Sequence, residues 1–172
     1  YSRVKTTRRC YLANVSSSAM EDRRWSFSKI GKKVDHTEWG MTPPTVNAYY
    51  HPSMNDINFP AGVLMPPLYD LKIDDAPNYG DTGSTIGHEL THGFDDEGRQ
   101  FDGAGNLRDW WTKKDGVEFE KLANCVRDQY SNYVVVDDIK INGKLTSGDD
   151  IADLALVQAA VDVLGSRLPL RT

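Results

Sequence analysis

The sequence predicts an α+β fold, mostly helical with a small edge sheet. Apolar residues recur three and four apart along several segments of the 172-residue chain. Only two short runs, at residues 46–50 and 56–59, have strand character, and prolines and glycines interrupt the path around them. With 39% hydrophobic and 26% charged residues, the composition is that of an ordinary globular chain with enough apolar material for a core.

Taken in order, Leu12, Val15, Ala19, Phe27 and Ile30 predict a helix over residues 9–30, with Gly31 at its stop position. A loop rich in Pro and Gly (40–45) leads to the run 46–50. The run 56–59 follows across Pro52 and Asn55, and the two are expected to pair. Pro60, Gly62, Pro66 and Pro67 then impose an irregular path. Over residues 82–97, Ile86, Leu90 and Phe94 stand four apart, a stripe on one side of a helix that stops at Gly98. A further helix opens at Thr112 with Asp115 completing a capping box, and Phe119, Leu122, Val126, Tyr130 and Tyr133 form its core stripe. Asn142-Gly143 signals a tight turn. Ser147 is expected to cap a last helix with Asp150 at its third position, ended by Gly165 and Pro169.

The net charge of −5 is unevenly spread. Nine of the 20 Lys and Arg but only two of the 25 Asp and Glu lie in residues 1–33, so the remainder carries 23 acids against 11 bases. An acidic body argues against nucleic acid as a partner, because phosphate binding requires a basic surface. The basic start reads as a solvated helix face. No run approaches the roughly 18 apolar residues of a membrane span, and no apolar stretch follows the basic start as it would in a signal peptide. The chain starts at Tyr1 rather than Met, so these absences leave its compartment open. Cys10 and Cys125 would make one bridge at most, and neither belongs to a CxxC pattern, so a thiolate metal site is not expected.

The chemistry concentrates in His88-Glu89-Leu90-Thr91-His92, an HExxH motif. On a helix, histidines four apart project one turn apart from one face and can grip a single zinc ion. Glu89 lies beside that ion, placed to take a proton from the water whose acidity the ion raises. The bland reading is two surface histidines beside a glutamate, and two features weigh against it. Each histidine lies two positions from a member of the Ile86, Leu90, Phe94 stripe, roughly 200° around the helix, so both face away from the packing side and into a cleft. Gly87 and Gly93 flank the motif at about 1 kcal/mol each relative to alanine, which implies a close approach there.

Catalytic zinc keeps three protein ligands, and the acids Asp149, Asp150 and Asp153 supply candidates for the third. Asp149 and Asp153 share a helix face, so one would bind metal while the other accepts a hydrogen bond from a histidine. Equally, acids in a first helical turn need no further role than favouring the positive end of the dipole. A calcium loop on Asp95, Asp96, Glu97, Asp102 and Asn106 lacks the EF-hand spacing, and an acidic turn accounts for these residues.

In this order the motifs resemble the neprilysin-like family of zinc metallopeptidases. The resemblance covers about residues 39–154. It rests on Glu38-Trp39-Gly40-Met41-Thr42-Pro43-Pro44, Val46-Asn47-Ala48-Tyr49-Tyr50, Phe59-Pro60-Ala61-Gly62, the run from Gly87 through the HExxH motif to Asp96, Gly105-Asn106-Leu107 with Trp110-Trp111, and Ile151-Ala152-Asp153. It implies a thermolysin-like (zincin) catalytic domain, incomplete here, that hydrolyses peptides of modest length with a single zinc ion. Residue by residue it implies His88 and His92 as ligands, Glu89 as general base, and Asp153 as the acid orienting a histidine. Asn47 and Ala48 correspond to the family's substrate-binding edge, to which an extended peptide adds through backbone hydrogen bonds.

Three departures qualify the expectation. Where the family reads Glu-Asn-Ile-Ala-Asp, this chain reads Asp149-Asp150-Ile151-Ala152-Asp153, so Asp149 stands as third ligand one methylene short. Its reach falls by at most about 1.5 Å, whereas zinc–oxygen distances tolerate roughly 0.2 Å. No histidine follows His92, although the family has a downstream histidine and arginine that stabilise the oxyanion and grip substrate. The family's large helical domain, expected upstream, is absent as well. Residues 1–172 are thus expected to form one partial catalytic domain: a basic helical lead-in (1–33), then a core (34–172) carrying the HExxH and third-ligand helices. Its expected partners are a peptide substrate and the missing upstream and downstream parts of the same enzyme, in an oligomeric state the sequence leaves open. Losing an oxyanion donor costs about a hundredfold or more in rate, so weak or undetectable activity is expected of this chain alone. The alternative is a non-catalytic, zinc-binding degenerate homologue. An extracytoplasmic setting, secreted or membrane-anchored, is implied by the family alone.

Overall fold

In the computed structural model, which describes residues 3–8 and 10–155, the chain divides after Glu38 into two compact units. The first carries helix α1 (Tyr11–Phe27). At its end the Ser28 N–H bonds the Arg24 and Trp25 carbonyls, and Gly31 turns the chain at φ 75°, a left-handed value that glycine takes without steric cost. Within this unit Leu12, Phe27 and Ile30 remain exposed, so their spacing reports helical period and not a buried face. Charge organises Trp25 instead. The Arg3 guanidinium lies 3.7 Å from its ring centroid, and Glu38 accepts from Lys29 Nζ at 2.6 Å and Trp25 Nε1 at 3.0 Å. The Lys29 ammonium, and then the Trp25 N–H, hold the Glu38 carboxyl below its usual range.

In the second unit, β1 (Tyr49–His51) pairs antiparallel with β2 (Asp56–Asn58) in the register Tyr49↔Asn58, Tyr50↔Ile57, His51↔Asp56. Asn55 closes the hairpin at φ 50°, a conformation its short polar side chain tolerates. The pairing is the expected one, but β1 begins three residues later than the run at 46, which leaves Asn47 and Ala48 ahead of the ladder. The proline-rich path that follows contains one 3-10 turn, Ala61–Leu64.

Helix α2 (Asp75–Asn78), capped by the Asp74 side chain, passes through a π turn (Tyr79–Gly83) into α3 (Ser84–Thr91). This is much shorter than the expected helix over 82–97. His92 ends it because Asp95 offers the backbone an alternative: its Oδ1 accepts from the N–H groups of Glu97 at 2.9 Å and Gly98 at 2.7 Å. The chain then folds back so tightly that a Cβ at Gly98 would collide with the His92 carbonyl oxygen.

Helix α4 (Lys113–Tyr130) opens with the expected capping box. Asp115 N–H donates to Thr112 Oγ1, and Thr112 N–H to Asp115 Oδ2, both at 3.2 Å. Its inward side is Phe119, Ala123, Val126 and Tyr130, whereas Leu122 of the expected core stripe is 67% exposed and Tyr133 lies beyond the helix. Arg99 sits 4.7 Å above the Phe119 ring and pairs with Glu120 at 3.1 Å. A second hairpin, β3 (Val134–Val136) with β4 (Ile139–Lys140), turns at Asp137, φ 52°. Three consecutive valines signal that strand, which the sequence reading passed over. The turn at Asn142 forms as expected, its carbonyl accepting from Leu145 and Thr146.

Residues 147–155 form the helix α5. Ser147 is its first helical residue, so the expected cap falls to Thr146, whose carbonyl accepts from Asp150 N–H at 2.9 Å while its hydroxyl donates to Asp150 Oδ2 at 2.7 Å. The expected stops at Gly165 and Pro169 lie outside the described residues. Cys10 and Cys125 are free and exposed. Among the described residues, no helix is long and apolar enough to cross a membrane.

Burial gathers around small and polar residues: Ala48, Pro60, Val63, Ala123 and Ala152, with Glu89, Asp95, Ser147 and Asp150. The stripe of Ile86 and Leu90 on α3, with Phe94 beyond its end, is exposed, a correction to its expected inward role. Periodicity sets which residues share a helix face, but burial requires a second element over that face. Here it is the Glu89 side of α3 that is covered.

Candidate metal centre

Helix α3 brings the HExxH side chains to one cleft of about 420 Å³, whose walls include Asn47, Ala48 and Asp149. His88 and His92 meet with their Nε2 atoms 3.0 Å apart and their rings nearly perpendicular, at 89°. Each ring is held at its other nitrogen: His88 Nδ1 lies 2.8 Å from Asp153 Oδ1, and His92 Nδ1 lies 2.7 Å from Asp95 Oδ2. A carboxylate only accepts, so each Nδ1 donates, and in the neutral rings both Nε2 atoms present lone pairs. Two lone pairs at this separation repel unless a proton or a cation lies between them. Two nitrogens on one tetrahedral zinc, with bonds of about 2.0–2.1 Å, stand about 3.3 Å apart, so the donor pair fits that ion.

Asp149 is more distant. Its Oδ1 is 3.9 Å from His92 Nε2, the three candidate ligand atoms lie within 4.8 Å of one another, and its side chain is 75% exposed. The gap is wide in the sense expected of a side chain one methylene short. Among the described residues these three form the cluster of His and acidic groups able to hold an ion, and the acids weighed for a calcium loop do not assemble. Asp102 spends Oδ1 on the backbone N–H groups of Ala104 and Asn106, at 2.9 and 3.0 Å.

Glu89 is only 5% exposed. Burial pushes its carboxyl above the usual range, opposed by the charges of His88 and His92 and by the Tyr50 backbone N–H. The hydrogen bond to Asp95 raises His92, with burial working against it. Ala48 is buried and Asn47 exposed, both on the cleft wall ahead of β1. The group that approaches Gly93 is the Tyr50 hydroxyl, 3.3 Å from where a Cβ would stand. Asp95 is the site residue that sequence reasoning missed. Its signal was its position three residues after His92, close enough in sequence for its short side chain to turn back to the ring where the helix ends.

A family model described as peptidase family M13 matches residues 47–168. An endothelin-converting enzyme homolog of Locusta migratoria is 51% identical over 135 residues, which is 78% of this chain and 18% of that protein. Neprilysin-3 of Drosophila melanogaster is 40% identical over 160 residues, 93% of this chain and 20% of that protein. Among solved structures, a zinc metalloprotease of Mycobacterium tuberculosis in complex with an inhibitor aligns with a TM-score of 0.87 at 39% identity, covering 98% of this chain and 27% of its own. PepO of Lactobacillus rhamnosis aligns with a TM-score of 0.84 at 37% identity, covering 96% and 26%. The chain therefore spans about a fifth of the length of these curated relatives and about a quarter of the solved chains.

Proposed function

The chain belongs to peptidase family M13, the neprilysin family, and from that membership and the histidine geometry we propose that it is part of a zinc-dependent metalloendopeptidase. Its mostly helical fold with small antiparallel sheets is that of part of a catalytic domain of the family. The observation that carries the functional reading is the pair of Nε2 atoms 3.0 Å apart, each ring oriented by its own carboxylate.

In this reading His88, His92 and Asp149 hold the zinc, which supplies the Lewis acidity that makes water nucleophilic at neutral pH. The chain's own residues do the remaining work. Asp153 and Asp95 fix the tautomer and direction of the two imidazoles. Glu89 takes the proton of the attacking water on a carboxylate oxygen and delivers it to the departing amine. Asn47 and Ala48 receive the peptide along the segment ahead of β1. Residues 34–172 are the core of the partial domain and residues 1–33 its basic lead-in. The rest of the same polypeptide supplies what this stretch lacks, in an extracytoplasmic setting.

The distance of Asp149 favours a second reading, a zinc-binding homologue without catalysis. Zinc content of the chain purified without added metal separates these, with His88→Ala as control, followed by hydrolysis of flexible peptides with and without chelator. The proposal expects about one zinc ion per chain, lost in His88→Ala. It also expects weak chelator-sensitive hydrolysis that disappears in Glu89→Gln. Zinc without any hydrolysis sensitive to Glu89→Gln, even when this stretch is tested within the full-length polypeptide, assigns the second reading. No zinc in folded, supplemented chain rejects both.

A further inference from the structure

Asp149 and Asp153, the two acids that reach the histidines from α5, have side chains 75% and 55% exposed. Exposed carboxylates hold a helix weakly, because solvent screens them. What ties α5 to the HExxH segment lies deeper. Arg127 of α4, its side chain 15% exposed, donates from Nε to Ser147 Oγ at 3.0 Å and from Nη1 to Glu120 Oε2 at 2.8 Å and Asn124 Oδ1 at 3.2 Å. Its Nη2 stands 3.7 Å from Asp96 Oδ2.

Those partners belong to different parts of the site. Ser147 is the first helical residue of α5 and is 1% exposed, and Asp96 follows Asp95, which holds His92. One guanidinium therefore touches α4, the start of α5 and the loop behind the metal centre. Beside Ser147, Gly148 packs on the same loop: a Cβ there would lie 3.0 Å from Asp95 Oδ2 and 3.3 Å from Asp96 Oδ1. Asp96 Oδ1 is buried without a hydrogen-bond partner among the described residues, so the charge of Arg127 is what offsets that carboxylate.

We propose that Arg127 is a positioning residue of the metal centre. Its planar fork sets where α5 stands against Asp95 and Asp96, and through α5 where Asp149 and Asp153 meet the histidines. The inference rests on the zinc reading above, and it concerns a residue that no part of the HExxH pattern marks.

The test compares Arg127→Met, which keeps length without charge, with Arg127→Lys, which keeps charge without the fork. In Arg127→Met the zinc dissociation constant, measured by competition with a chromophoric chelator, rises about ten- to a hundredfold. Amide hydrogen exchange across residues 147–155 of the metal-free chain also speeds up, and Arg127→Lys recovers only part of either effect. Ser147→Ala removes one acceptor and guards against a variant that fails to fold: zinc binding and Tm both fall less than in Arg127→Met. A lower Tm with unchanged zinc affinity and unchanged exchange at 147–155 overturns the proposal. If the parent chain takes up no zinc, the metal reading falls, and exchange at 147–155 still decides whether Arg127 holds α5.

Discussion

Asp149 is where one methylene matters most. Its Oδ1 lies 3.9 Å from His92 Nε2, beyond the separation of two ligands on one zinc, and its side chain is free to turn in solvent. A glutamate at the same backbone position reaches farther by about one carbon–carbon bond. Asp149→Glu should therefore tighten zinc binding by on the order of tenfold, about 1.4 kcal/mol, in the same chelator competition. An unchanged or weakened affinity would show that Asp149 already closes on the ion or is no ligand at all. His88 and His92 differ from it because the protein's own carboxylates fix both rings at Nδ1.

At the scale of elements, helix ends follow the competition of side chains for backbone groups. Helix α4 starts where Thr112 and Asp115 exchange hydrogen bonds, and this reciprocal cap was legible four residues at a time. Thr112→Ala leaves the Asp115 N–H without its acceptor and should cost about 1 kcal/mol in denaturant unfolding; a loss below a few tenths would mean that water replaces the cap fully. Helix α3 ends early for the same kind of reason, since Asp95 takes the N–H groups of Glu97 and Gly98 that a longer helix would leave to carbonyls. The apolar spacing through Phe94 carried no trace of that competition. The delayed start of β1 and the β3–β4 hairpin are likewise matters of which backbone groups find partners, and alternation alone does not settle that.

Across the second unit, charge ties the elements together where apolar packing is thin. Hydrogen bonding from Arg127, against the opposing effect of burial, and with the Arg127 and Arg99 charges adding to it, holds the Glu120 carboxyl below its ordinary 4.5. A folded pKa below the unfolded one means that acid protonates the unfolded chain more readily. The contribution is complete above about pH 4.5 and is lost as pH falls through the lowered value. The Tm should drop with acid in that window, and the drop should be shallower in Glu120→Gln; parallel profiles would remove Glu120 from the account. Meanwhile Ile86, Leu90 and Phe94 stand exposed in a chain that spans about a fifth of its curated relatives, so the described residues do not bury the stripe that periodicity marks.

By itself the sequence determined the local chemistry and the family. His88, Glu89 and His92 are legible because positions four apart on any α-helix share a face, and the ordered motifs around them are specific to neprilysin-like peptidases. Only the tertiary structure decided which carboxylate meets which nitrogen. Asp153 reaches His88 across 65 residues of sequence, Asp95 and not a distant acid takes His92, Asp149 stands off, and Arg127 joins three segments behind them. Helical geometry relates residues within a turn or two, whereas contacts between segments depend on the path of the chain, which no local period encodes.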